Sequence, residues 1–98
     1  MITFARIAAI VPGKRHEAMT FAHQVVKLVA DKVGKKVNIS IPIGGNPGRI
    51  LWVSTYDNLA ELDSISTKLL KDADYKKLLD TGAQYFGSLH DELWAAVE

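Results

Sequence analysis

Eight residues carry most of the chemistry this chain can offer: Arg6, Asn38, Ser40, Trp52, Ser54, His90, Glu92 and Trp94. Asn38 and Ser40 stand two apart, as do Trp52 and Ser54, and Tyr56 continues the second pair. His90, Glu92 and Trp94 repeat that spacing near the C-terminus. Side chains at every second position of a strand share one face, so each set can converge. Together they would form a small aromatic-lined pocket with a few polar groups, or a polar dimer interface whose hydrogen bonds are satisfied. A buried Arg6 needs a carboxylate, and Glu92 is the expected partner. His90 and Glu92 supply only two metal ligands where at least a third is required, so no metal is expected. No serine has the strand-turn-helix setting of an activated nucleophile. Asp91 and Glu92 would point to opposite faces of a strand, which leaves no paired carboxylates for acid–base work. No catalytic residue is assigned.

The elements that must position these groups can be read from the intervening residues. Ile2 to Val11 is short, apolar and β-branched, interrupted by Arg6, and reads as a strand in which Phe4, Arg6, Ala8 and Ile10 share one side. From Lys14 to Val33, Ala18, Ala22, Val25, Val29 and Val33 form a helical stripe that Gly34 ends. Lys36 to Ile43 and Arg49 to Tyr56 are predicted strands, joined as a hairpin by Gly44-Gly45-Asn46-Pro47-Gly48. That glycine-rich loop leads into a strand rather than a helix N-terminus, so it does not read as a phosphate cradle. In the hairpin, Ile39, Ile41, Leu51 and Val53 are expected to face the helices. Asn38, Ser40, Trp52, Ser54 and Tyr56 are expected on the other side.

Asp57 or Asn58 caps a second helix, with Glu61 placed as in a capping box. Leu59, Leu62, Ile65 and Leu69 are its stripe. Asp72 caps a third helix predicted over 73–86, weakened by Gly82. The tail, 88–98, fits a helix or a strand by pattern alone. Topology favours a strand, because βαββα followed by β completes a four-stranded ferredoxin-like sheet. Tyr75, Tyr85 and Phe86, with Phe21 and Met19, are placed to line a cleft between helices and sheet or to fill the core.

The chain has 98 residues, 48% of them hydrophobic, a net charge of +1 and no cysteine. That is one domain, 1–98, with no basic field for nucleic acid or a membrane surface and no thiol chemistry. The N-terminus lacks the pattern of a signal peptide, and a soluble cytoplasmic protein is expected.

The order βαββα(α)β resembles the dimeric α/β-barrel superfamily, above all its NIPSNAP-like and stand-alone members. The resemblance rests on Pro12-Gly13-Lys14 after the first strand, the Gly44 to Arg49 hairpin, Trp52-Val53-Ser54 and Tyr56-Asp57 in the third strand, and Asp72-Ala73-Asp74-Tyr75 opening a helix. It implies an antiparallel sheet with helices on one face and a homodimer formed through the other. It also implies a small-molecule-binding protein without a cofactor, a cofactor-independent monooxygenase acting on an aromatic or polyketide-like substrate, or a purely structural, stress-related dimer. In the superfamily's monooxygenases and haem degraders the active site is the cleft between helices and sheet. The haem degraders use an Asn, a Trp and a His there. This chain has Asn38, Trp52 and His90, but on other elements.

Overall fold

The computed structural model describes residues 1–97, in the order β1 (Ile2–Ile10), α1 (Arg15–Val33), β2 (Asn38–Ser40), β3 (Arg49–Tyr56), α2 (Leu59–Lys71), α3 (Ala73–Gly82) and β4 (Phe86–Ala95). The strands form one sheet in the order β2-β3-β1-β4, and every neighbouring pair is antiparallel. This is the ferredoxin-like α+β fold with an added helix before the last strand. No helix among the described residues is long and apolar enough to cross a membrane.

The local signals act as their chemistry dictates. Gly34 ends α1 in the left-handed region at φ 67°, and its N–H donates to the Ala30 carbonyl. That conformation costs any residue with a Cβ. Asn58 Oδ1 accepts from the Glu61 N–H at 2.9 Å, and Asp72 Oδ1 from the Tyr75 N–H at 2.9 Å, so both later helices begin on side-chain caps.

Two elements differ from expectation in extent. β2 spans only Asn38–Ser40. Pro42 lies just beyond it and has no N–H to give a ladder. The third helix stops at Gly82, a 3₁₀ turn covers Ala83–Tyr85, and Phe86 belongs to β4. There the Tyr85 carbonyl accepts from the Val11 N–H at 2.9 Å, which ties the turn to the end of β1. The tail is a strand, as topology required, but it ends at Ala95. Glu98 lies outside the described residues.

The assignment of sheet faces needs a larger correction. Ile50 is fully buried and Trp52, Ser54 and Tyr56 nearly so. Trp52 and Ile50 join Phe21 and Ala22 of α1 in the core, together with Ala8 of β1. The helices therefore cover Trp52, Ser54 and Tyr56. Leu51 and Val53 point to the open face, the reverse of the expectation for β3. For β2 the expectation holds at Ile39, which packs on the core, but not at Ile41, which lies beyond the strand and is exposed. Residues directly opposite in an antiparallel pair share a face. Ile39 stands opposite Trp52, while Asn38 stands opposite Val53 and Ser40 opposite Leu51. Asn38 and Ser40 thus share the open face with Val53 and Leu51. The core took the bulkier set, since an indole buries more surface than an isopropyl group.

Candidate functional site

The sheet divides the eight singled-out residues between its two sides. Arg6 stands opposite Trp52 on β3 and opposite Asp91 on β4, so all three lie on the helix side. Ser54 stands opposite Phe4 and joins them. Asn38, Ser40, His90, Glu92 and Trp94 lie on the open side. They do not form one pocket with Trp52, Ser54 and Arg6. Glu92 is not the partner of Arg6 either, because it sits one position on from Asp91 and points the other way.

On the helix side is a cleft of about 620 Å³. Its floor comes from Phe4 and Arg6 of β1, Trp52, Ser54 and Tyr56 of β3, and Leu89 of β4. Phe21 and Val25 of α1 form one wall, Leu62, Leu69 and Leu70 of α2 another, and Tyr75 and Leu79 of α3 a third. Phe86 closes the end. Of the aromatic set expected between helices and sheet, Phe21, Tyr75 and Phe86 line this space; Met19 and Tyr85 pack against the core beside it. Phe21 stands edge-on to Trp52 with centroids 6.5 Å apart, and Phe86 meets Trp52 in the same way at 5.5 Å. Such contacts fix ring orientation, so the aromatic wall is stiff.

The polar groups of the cleft are few. Arg6 grips Asp91 with two parallel hydrogen bonds, Nε to Oδ1 at 2.7 Å and Nη2 to Oδ2 at 2.9 Å. That pair raises the guanidinium further above its usual value, against burial. Tyr75 sits beside it. Burial pushes the Tyr75 phenol up and Arg6 only partly offsets this, so the group is a neutral hydroxyl at pH 7. Deeper in, Ser54 Oγ donates to the Tyr56 hydroxyl at 3.0 Å. Beneath the Tyr56 ring, Lys35 Nζ lies 4.6 Å from the centroid and donates to Glu61 at 2.8 Å. Trp52 Nε1 is buried without a hydrogen-bond partner among the described residues. Among the described residues lining the cleft, Arg6 is the only charged one, and there is no carboxylate, imidazole or amide. The cleft can bind and orient a largely apolar molecule. A proton acceptor for chemistry there would have to be a hydroxyl or the bound molecule itself.

The open face holds a second arrangement. His90 Nε2 donates to Glu92 Oε2 at 2.7 Å, and Trp94 Nε1 donates to Glu92 Oε1 at 2.9 Å. The His90 hydrogen bond, then that from Trp94, holds the Glu92 carboxyl below its usual range. These three groups converge as their spacing predicted. They do so in the open, with Trp94 62% exposed. Among the described residues no three His, Asp or Glu side chains gather as a metal site. Asn38 and His90 are on one side of the sheet and Trp52 on the other, so the three do not assemble into an Asn–Trp–His site. His16 and His23 are exposed on α1.

Sequence reasoning missed Tyr56 as part of the cleft and Asp91 as the partner of its arginine. The signal for Asp91 was available: it is the acid with the parity opposite to His90 and Glu92, and Arg6 is the one charged residue inside β1.

No family model matches the chain, and no curated protein matches it with significant similarity. Solved structures do. A NIPSNAP-domain protein from Burkholderia xenovorans superposes with a TM-score of 0.87 at 12% identity, over 99% of this chain and 95% of that one. A NIPSNAP family protein from Agrobacterium tumefaciens gives 0.85 at 16% identity, over 99% and 86%. An antibiotic biosynthesis monooxygenase gives 0.78 at 13% identity, over 100% of both chains. At such identities the likeness speaks for architecture alone: the chain has the ferredoxin-like fold of NIPSNAP-domain and antibiotic biosynthesis monooxygenase structures.

Proposed function

We propose that this protein is a homodimer that binds a small, flat, mainly apolar molecule in the cleft between helices and sheet. The cleft itself carries the reading. A space of about 620 Å³ falls within the ~300–1,000 Å³ of small-molecule sites, and its lining is aromatic and aliphatic with few polar groups. A protein whose only task was structural would be expected to pack this space. The homodimer rests on the open sheet face. That face presents Ile7, Leu51 and Val53 without a helix over them, and its Trp94 is exposed. A second copy applied face to face would remove this surface from water.

A second reading makes the protein a cofactor-independent oxidoreductase acting on an aromatic substrate in the same cleft. The whole-chain likeness to an antibiotic biosynthesis monooxygenase supports it. Native mass spectrometry of gently purified protein tests binding and assembly together. Two chains carrying a co-purified small molecule are expected. A bare single chain that also ignores naphthalene-sized compounds in solution would refute the proposal. Oxygen consumption with a phenolic ligand, abolished by filling the cleft, would move the protein to the second reading.

A further inference from the structure

We propose that Arg6, aimed by Asp91, anchors a carboxylate carried by the aromatic ligand of the cleft. This rests on the reading of the cleft as a ligand site and names the class of molecule that fits it. Asp91 takes Nε and one hydrogen of Nη2. A guanidinium has five N–H groups. Apart from its electrostatic contact with the Tyr75 hydroxyl, its far edge, Nη1 with the second hydrogen of Nη2, makes no hydrogen bond of good geometry among the described residues. That edge belongs to the only charged residue lining the cleft among the described residues.

A fork of two parallel N–H groups matches the two oxygens of a carboxylate and leaves one donor idle on a single carbonyl oxygen. The remainder of the lining asks for apolar, flat surface: Trp52, Phe21, Phe86 and Tyr75. The Tyr75 hydroxyl beside Arg6 supplies a further donor to the same oxygens. A planar aromatic acid satisfies both halves of the site. Asp91 faces water enough to screen its repulsion of a second carboxylate, since both members of the pair are about one-third exposed. Its role is positional. By holding the Nε edge it fixes the guanidinium plane.

Isothermal titration with 2-naphthoate and its neutral isostere 2-naphthamide tests this. Wild-type protein is expected to bind the acid about tenfold more tightly than the amide. Arg6→Met should bring the acid down to the level of the amide and weaken the amide far less, by the one hydrogen bond its carbonyl loses. Arg6→Lys keeps the charge but cannot fork to both carboxylates, so the preference for the acid should largely vanish. Asp91→Asn should weaken the acid several-fold without moving the amide, a selectivity that a merely structural role would not produce. Equal binding of acid and amide to the wild type overturns the anchor while leaving the cleft as a ligand site. Tighter binding of the acid to Asp91→Asn would make Asp91 a competitor and overturn its positioning role. Failure of the folded wild type to bind either compound removes the aromatic site and the anchor with it.

Discussion

Trp52 and Val53 are neighbours on β3, and the structure gives them opposite surroundings. Trp52 is 7% exposed, beneath α1 and against Phe21 and Phe86. Val53 is half-buried on the open face. Truncating a buried tryptophan costs ~3–5 kcal/mol. Here the lower end applies, because Trp52→Ala also removes an indole N–H that is buried without a partner, a defect worth ~1–3 kcal/mol. A loss of about 3 kcal/mol is a large part of the ~5–15 kcal/mol that holds a domain together. For a chain of this size it lowers Tm by roughly 12–24 °C. Trp52→Phe keeps a ring and discards the unpaired donor, so it should cost clearly less than the alanine. Val53→Lys should change protomer stability by no more than ~1 kcal/mol, the span of strand preferences at a surface position. What it should change is assembly, since it places a charge in the centre of the open face. Thermal melts at two protein concentrations, with sedimentation for mass, separate the effects. The reasoning fails if Trp52→Ala melts within a few degrees of wild type, or if Val53→Lys unfolds the protomer.

Two further outcomes follow from the cleft wall and the helix caps. A Cβ at Gly82 would land on the Phe21 ring, which is itself held by its aromatic neighbours; Gly82→Ala should therefore lose ~1–3 kcal/mol to overpacking, offset by about 1 kcal/mol of helix preference, and should narrow the cleft as measured by weaker binding of naphthalene-sized than benzene-sized compounds. Asp72 is held below its usual value by the Tyr75 N–H first and by Lys32 as well. A carboxyl depressed in the folded state stabilises above its unfolded pKa, and that contribution disappears as pH falls through the folded value, so denaturant titrations from about pH 5 to pH 2 should show a flatter decline for Asp72→Asn than for wild type.

Much of the fold was legible because its signals are local. Gly34 after the last periodic residue, Asn58 three positions before Glu61, and Asp72 before Ala73 each fix a helix end through a group a few residues away. The final strand was legible through topology, which overruled a pattern that suited a helix equally. The parity of β3 was not legible. Ile50, Leu51, Trp52 and Val53 are apolar in succession, so both alternations offer a plausible core face. The pattern of β2 does not decide between them, because the connection from Ile41 to Gly48 is long and holds two prolines, and a loop of that kind leaves register free. What decided it lies far off in sequence: the α1 residues Phe21 and Ala22 and the Phe86 ring, which together leave room for an indole. The site inherited the same ambiguity. His90, Glu92 and Trp94 were correctly grouped, yet Arg6 was paired with the wrong acid because the β1–β4 register sets its partner.

That register gives the last strand two separate tasks. Asp91 reaches the cleft through Arg6, while the side chains of His90, Glu92 and Trp94, among the described residues, bond to one another on the other side of the sheet. A sheet one residue thick passes little between its faces unless a strand shifts along its neighbour. Changes at Glu92 should then be felt where a second copy would meet the sheet and not in the cleft, and changes at Asp91 the reverse. Glu92→Gln removes the charge that accepts from His90 and Trp94 and keeps the shape, so it should alter the association of chains and leave the acid-over-amide preference of the cleft intact. Sedimentation and calorimetry on that one variant would decide it. If the preference fell along with assembly, the two faces would be coupled through β4, and the division of labour drawn from its alternating side chains would be wrong.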